Sequence, residues 1–439
     1  MSSSSGQAPS IEAWPVGRAP RLLVIVFADL RIGGGGDLDL IEIAGQLRQR
    51  GWEVHLQQID TLLSEPARLT RSEVEGLLPG IPIESLPALA WMSFQLPIPT
   101  LAGYERIARE MQWSDVVLLS QYYGIDAIGE LLARIRGRPF FLSQTNTLFR
   151  GRPARVREVA QEVYTHTIGR LVRRHADGVR TCNTEDGETI RSEGQKGVAV
   201  VHPISPSAYD LGSAPPSFMV GREDPEGDKS RRMQLIYAGR MTFQKGPDLV
   251  AGALAQLLSE NPSWADRLEV HLAGRDRLIP SLDQLRSRCP GMVIHLGILS
   301  RSQLAHELDR ADLLLMPSRY ESFGVVAVEA QLRGTPVLAT DVRGLRDAVA
   351  LGGNNIRVAP TAQALAAGIR RAWGMWNADP DGWRQLRRAT RELAYARFGP
   401  AARSQELDAF ARLMAHRLSA PATRRRRRVS WPHQSKDRI

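Results

Sequence analysis

Two separate series of short apolar runs, each run followed by a stretch of helical periodicity, leave this chain little choice of architecture. An apolar run without polar alternation belongs to a strand buried on both faces, and so to a parallel sheet covered by helices. The first series opens with RLLVIVFA at residues 21–28, followed by four glycines at 33–36, a helical pattern over 38–50 and a strand over 52–57. Further strands are expected at 115–120, 139–143, 178–181 and 198–202, with helices over 125–135 and 156–174. Residues 64–105 are rich in Pro and Leu without a clear period, and no element is assigned to them. The second series places strands at 234–238, 268–273, 292–296, 313–316 and 336–339, with helices near 248–258, 278–288, 302–310 and 325–333. Parallel strands joined by helical crossovers give a doubly wound sheet. Two such series predict two Rossmann-like α/β domains facing across a cleft, with a ligand at the carboxyl ends of the strands.

The punctuation of the chain sets the expected boundaries. Residues 1–20 form a loose leader, 21–205 the first domain and 206–232 a linker containing GREDPEGDKSRR with flanking Pro and Gly. The second domain spans 233–398, a C-terminal helix over 399–420 is placed to pack back on the first domain, and 421–439 is a basic tail. A length of 439 residues suits two domains of this size.

The charge is unevenly placed. Of a net +10, six charges lie in the tail, which has seven basic residues, including Arg424 to Arg428, against Asp437. Such a run reads as a solvated arm. Nucleic-acid binding is disfavoured, because Trp431 is the arm's only aromatic and no reading motif accompanies it. A tether to anionic lipid headgroups, at ~1 kcal/mol per basic residue near the surface, is the alternative use of the arm. No apolar run reaches the ~18 residues of a membrane span. Residues 1–20 also lack the apolar core of a secretory signal, so the expected location is cytoplasmic or peripheral to the cytoplasmic membrane face. Cys182 and Cys289 fit no metal or redox spacing and are expected to be reduced thiols.

Three segments of the second half carry the chemistry. The first strand there ends in Gly239-Arg240, and Lys245-Gly246-Pro247 opens the next helix. Gly239 permits a sharp turn, Pro247 suits a first helical turn, and two cations beside a helix N-terminus can cradle a diphosphate. The strand at 313–316 runs into Pro317-Ser318-Arg319-Tyr320-Glu321-Ser322-Phe323-Gly324, then Val325 and, within the helix, Glu329. Glu329 lies among apolar neighbours, where a carboxylate without a task would be costly. Glu321 sits at the strand-to-helix turn, facing the cleft mouth. Gly334-Thr335-Pro336 ends that helix, and Gly344, before the next one, serves backbone geometry.

The stretch GRMTFQKG followed by PSRYESFGVVAVEAQLRGTPVLAT resembles the signature of the retaining, nucleotide-sugar-dependent glycosyltransferases of the GT-B fold, the glycosyl transferases group 1 family. The Glu-x7-Glu pair, Glu321 and Glu329, is its diagnostic part, and the match covers about residues 235–349. The resemblance implies a hexosyltransferase-type enzyme moving a sugar from a nucleoside diphosphate donor to an acceptor hydroxyl, without metal or other cofactor. It implies that Arg240 and Lys245 bind the donor diphosphate, that Glu321 contacts the sugar hydroxyls and that Glu329 holds the ribose. It further implies that Gly239 and the amides of Phe323, Gly324 and Val325 lie by the sugar and phosphate, that Gly297, Ile298 and Leu299 touch the base, and that Gly34 and Gly35 approach the donor phosphate. The acceptor, a saccharide or a lipid-linked group, is left open.

Two departures from the family pattern stand out. The histidine common at the end of the fourth strand is absent from Phe141-Leu142-Ser143-Gln144-Thr145-Asn146, and the common Asn-Gly before the linker is replaced by His202-Pro203. These keep alive the rival of a non-catalytic sugar-nucleotide-binding or scaffold protein on a GT-B fold. A glycosidase pair is disfavoured, since Glu329 lies two helical turns beyond Glu321 among apolar residues. The Asp37/Asp39 and Asp379/Asp381 pairs fall at a helix start and a helix connection, not at a metal site. The chain lacks the GxGxxG of a Rossmann dehydrogenase.

Overall fold

The computed structural model describes residues 17–419 except 27–28, 33–34, 60–69, 92–95, 121–124, 149–155, 205–230, 275–276, 350–351 and 353–354. The leader up to residue 16, nearly all of the proposed linker and the tail from 420 lie outside the described residues.

The first half contains β1 (Arg21–Val26), α1 (Gly35–Gln49), β2 (Glu53–Ile59), α2 (Arg71–Leu77), β3 (Ile83–Leu86), β4 (Ala88–Trp91), β5 (Leu96–Pro99) and α3 (Leu101–Trp113). It continues with β6 (Val116–Ser120), α4 (Ile125–Ile135), β7 (Phe140–Gln144), α5 (Val156–His166), α6 (Ile168–His175), β8 (Gly178–Thr181), α7 (Thr184–Ser192) and β9 (Val198–Val200). Seven of these strands form a parallel sheet in the order β3-β2-β1-β6-β7-β8-β9. Strand alternation divides its core in two. Leu22, Val24 and Val26 of β1 pack toward α1 on one face, while Leu23 and Ile25 pack toward α3 and α6 on the other.

The second half contains β10 (Met233–Ala238), α8 (Pro247–Glu260), α9 (Trp264–Arg267), β11 (Leu268–Ala273), α10 (Pro280–Arg288), β12 (Val293–Gly297) and α11 (Arg301–Arg310). There follow β13 (Leu313–Met316), α12 (Val325–Leu332), β14 (Val337–Thr340), α13 (Leu345–Ala348), β15 (Ile356–Val358), α14 (Ala362–Ala378), α15 (Pro380–Phe398) and α16 (Pro400–Ser419). Its six strands are parallel, in the order β12-β11-β10-β13-β14-β15. The molecule is thus two Rossmann-like domains with a helical C-terminus.

α15 packs on the second domain, and after Gly399 the chain crosses back. Leu407, Phe410, Met414 and Leu418 of α16 complete the core of the first domain beside Leu22 and Phe141. The return is fixed by polar contacts as well. Arg50 Nε donates to Asp408 at 2.6 Å, and Arg417 Nε donates to the Asp177 carbonyl at 3.1 Å.

Several elements differ from the sequence expectation. Residues 64–105 are structured where described. Thr70 and Glu73 form a reciprocal capping box that starts α2, and Thr100 caps α3. β4 and β5 form a separate two-stranded ribbon, where Pro97 and Pro99 are tolerated because they interrupt no central ladder. The single helix expected over 156–174 is two. Thr167 leaves the helical region at φ −113°, and its hydroxyl donates to the Val163 carbonyl at 2.5 Å. The helix expected after Gly344 is α13, a single turn, whereas the short elements α7 and β15 have no counterpart in the sequence reading.

Candidate active site

β10 and β13 are hydrogen-bonded neighbours, so the loops leaving their carboxyl ends run side by side. Several contacts join them. The Arg319 amide donates to the Gln244 carbonyl at 2.8 Å, and Gln244 Nε2 donates to the Tyr320 carbonyl at 3.4 Å. The Arg319 guanidinium lies 3.9 Å from the Phe243 ring centre and grips Asp248 with both Nη atoms, at 2.8 and 2.5 Å. Gly246 permits the junction: its φ is +67°, and a Cβ there would come within 2.0 Å of the Pro317 carbonyl oxygen. Pro247 then occupies the first turn of α8.

Lys245 and Glu321 meet across this junction. Lys245 Nζ donates to Glu321 Oε2, and Ser318 Oγ donates to the same oxygen at 3.4 Å. The Glu321 side chain is 8% exposed and the Lys245 side chain 22%, so the pair is largely covered, with the lysine the more accessible partner. Behind it, Thr340 Oγ1 donates to the Ser318 carbonyl. Gly344 supports the loop from the far side. A Cβ on it would lie 2.4 Å from the Ser322 carbonyl carbon and 2.6 Å from both the Glu321 oxygen and the Phe323 nitrogen.

α12 begins directly after this loop. Gly324, at φ +95°, holds its N-cap position, and no side chain caps it among the described residues. The leading amides of Val325 and its neighbours therefore form an anion-favouring helix start close to Lys245. The Phe323 side chain is not in the cleft. It is buried against His202 and Phe398, with ring centres 4.9 and 5.9 Å away, so only its amide is placed for ligand contact.

Arg240 is exposed on the same loop, with Nη2 donating to Gln244 at 3.4 Å. The carboxyl ends of β10, β11 and β12 form a glycine shelf beside it. The Gly239 amide donates to the Ala273 carbonyl at 2.9 Å, and the Gly274 amide donates to the Gly297 carbonyl at 2.8 Å. A Cβ on Gly274 would lie 1.8 Å from the Gly239 oxygen. Ile298 beyond this shelf is exposed and Leu299 half-buried. Glu329 is half-buried on α12. Burial pushes its carboxyl above the usual range, against the pull of Arg301 and Arg333. Gly34 lies outside the described residues, and Gly35 is the first residue of α1. The structure thus joins Lys245 directly to Glu321 and puts Arg240 on the same loop. Glu329 feels the charge of Arg301, the first residue of α11, which follows the 297–299 loop.

The sequence reading missed the groups that hold the first domain against this site. Asn183 caps α7, and its Nδ2 donates to the Ser322 carbonyl at 2.9 Å. The Thr184 amide donates to Asp347 at 2.5 Å, and Arg343 Nη1 lies 3.3 Å from Asp186. His202 is buried where these parts meet. Its Nδ1 lies 2.5 Å from Glu406 of α16, and its Nε2 lies 3.8 Å from Asp347. Burial alone would lower the imidazole pKa, but the two carboxylates outweigh it and raise it. Burial likewise works against the Asp347 carboxylate, yet His202 and Thr184 hold its pKa at about 2. Asp39 is buried in an ion pair with Arg180, with Arg403 3.5 Å away, and so serves structure. Gln144 is buried, and its Nε2 donates to the Asn146 carbonyl at 2.7 Å. In the first domain, a cavity of 340 Å³ opens beside β2 and β3, lined by Arg31, Arg71 and Arg106 together with Gln58, Glu75 and Glu84.

Comparison with known proteins agrees with this geometry. The profile of "Glycosyl transferases group 1" matches residues 223–386. The D-inositol 3-phosphate glycosyltransferase of Jonesia denitrificans is 30% identical over 340 residues, covering 72% of this chain and 77% of that protein. Glycogen synthase of Mycobacterium tuberculosis is 30% identical over 207 residues, 47% of each chain. Among solved structures, Anabaena HepE in complex with UDP and glucose aligns with a TM-score of 0.64 at 18% identity, covering 91% of this chain and 99% of that one. The shared fold extends over both sheets, and the sequence likeness runs through the loops that carry Lys245 and Glu321. The chain belongs to the group 1 glycosyl transferases and has their GT-B fold.

Proposed function

We propose that this protein transfers a hexose from a nucleoside diphosphate sugar to an acceptor hydroxyl, with retention of anomeric configuration and without a metal ion. The observation that carries the reading is the Lys245–Glu321 pair beside the start of α12. When the bond from the sugar C1 to the diphosphate oxygen breaks, negative charge grows on the leaving group. Lys245, Arg240 and the α12 amides are fixed where they can meet it, which is the kind of preorganised charge that lowers a barrier. Glu321 orients Lys245 and accepts hydrogen bonds from donor sugar hydroxyls. Glu329 takes the ribose, and the 297–299 loop takes the base. HepE was solved with UDP and with UDP-glucose, which supports a nucleotide-sugar donor of that kind here.

The acceptor approaches from the first domain. Its cavity offers both cations and carboxylates to a polar acceptor, and the inositol phosphate transferases among the relatives support a polyol phosphate as that acceptor. Domain closure would exclude water from the reacting carbon. Glu321→Ala and Lys245→Ala should each abolish transfer, measured as nucleoside diphosphate release. Circular dichroism and thermal melting check that the variants stay folded. Wild-type turnover in either folded variant would refute the assignment.

A further inference from the structure

The surface of the first domain has a feature that glycosyl transfer does not use. α4 buries Gly129, Glu130 and Ala133 and turns Ile128, Leu131 and Ile135 outward. An apolar set at that spacing ordinarily faces a core. Here Leu131 is 56% and Ile135 69% exposed. The neighbouring helices do the same: α5 exposes Val159 and Val163, and α6 exposes Ile168 and Leu171. α4 packs on α6 and α6 on α5, so these side chains lie on adjoining helices of one face. Scattered apolar residues need no explanation, but an adjoining set of seven marks a docking surface.

Charge identifies the occupant. Residues 125–175 contain ten arginines, no lysine and four acidic residues. Among the described residues Arg170 and Arg174 are exposed on α6 and Arg136 just past the end of α4, while Arg173 is buried against Glu193, Glu130 is paired with Arg134 and Glu162 with His166. This segment and the tail each carry a net +6, so the rest of the chain carries −2. The described chain also stops close to this face. Arg417, two residues before Ser419, is bonded to the Asp177 carbonyl just past the end of α6, and the tail's arginines follow from residue 424. Apolar side chains beside exposed arginines match the interfacial zone of an anionic bilayer, which takes apolar groups at the acyl boundary and cations at the headgroups.

We propose that the α4–α5–α6 face docks this protein on anionic lipid membranes, with the apolar side chains entering the interface and Arg136, Arg170 and Arg174 meeting lipid phosphates. The test is co-sedimentation of the full chain with phosphatidylcholine vesicles, with and without about a third phosphatidylglycerol, at low and high salt. The wild-type chain should bind the anionic vesicles, and binding should weaken with salt. The variant Leu131→Gln/Ile135→Gln/Val163→Gln should bind at least about tenfold more weakly with an unchanged melting temperature, and Arg136→Ser/Arg170→Ser/Arg174→Ser should lose the preference for anionic lipid. Removing residues 421–439 should weaken binding without abolishing it. Three results would overturn the proposal. They are absence of wild-type binding, binding by the Gln variant equal to wild type, and a wild-type dimer in solution that the Gln variant dissociates, which would make a second copy the occupant. Vesicle binding is read without turnover, so its outcome is independent of the donor chemistry.

Discussion

Replacing Gly344 with Ala tests whether the Glu321 loop is held in place from behind. The backbone of Gly344, at φ −31° and ψ −33°, lies in the helical region, so alanine meets no conformational obstacle. The obstacle is steric. The new Cβ would sit 2.4 Å from the Ser322 carbonyl carbon and 2.6 Å from the Glu321 oxygen and the Phe323 nitrogen. All three are backbone atoms, and no side-chain rotation can relieve the contact. Restoring an ordinary van der Waals distance requires the loop to retreat by about 1 Å, a displacement that can cost ~100-fold in rate at a reacting centre. Overpacking of this kind costs about 1–3 kcal/mol of stability. Steady-state donor turnover and thermal melting separate the two effects. We expect kcat/KM to fall by roughly 100-fold while the melting temperature drops by only several degrees. A variant melting lower but turning over donor within about twofold of wild type would show that this loop does not position the reacting groups.

Other perturbations read other parts of the structure. Asp39→Ala leaves the buried Arg180 guanidinium without its carboxylate and should destabilise the first domain by about 3–5 kcal/mol, seen as a lower denaturant midpoint. The raised pKa of His202 means that its contribution to stability is full below about pH 6.5 and is lost as pH rises through the folded value. Asp347 acts in the opposite sense, contributing above its unfolded pKa of about 3.9 and losing the contribution as pH falls toward 2. Denaturant midpoints measured from about pH 6 to 9 should therefore decline for wild type and flatten for His202→Gln. Gly374→Ala in α14 meets open space and should stabilise the protein by about 0.5–1 kcal/mol without changing turnover.

The sheets were legible because their strands are buried on both faces. An apolar run such as residues 313–316 has no other stable placement, and the structure puts β13 on those residues. Elements built by local hydrogen bonding rather than apolar burial were harder to see. α2 was announced by Thr70 and Glu73, a recognisable capping pair that a search for apolar periodicity passes over. α7 is short and polar, and Asn183 at its start looks like any loop residue until its contact with Ser322 is known. In the site, residue type and spacing singled out Lys245 and Glu321, but not their direct bond, which depends on β10 and β13 being neighbours across a gap of some seventy residues. Gly344 was readable as a backbone glycine. That it backs the Glu321 loop is a fact of tertiary packing which no local pattern encodes.

Retention and metal independence are read together by incubating the purified protein with UDP-, GDP- and ADP-hexoses and a panel of phosphorylated and neutral polyol acceptors in the presence of a chelator. Proton NMR of the product then reads its anomeric configuration. A nucleoside diphosphate should be released and the product should carry the configuration of the donor sugar, both lost in Lys245→Ala. An inverted product, or turnover that survives the loss of Lys245, would refute a retaining transfer centred on Lys245 and Glu321.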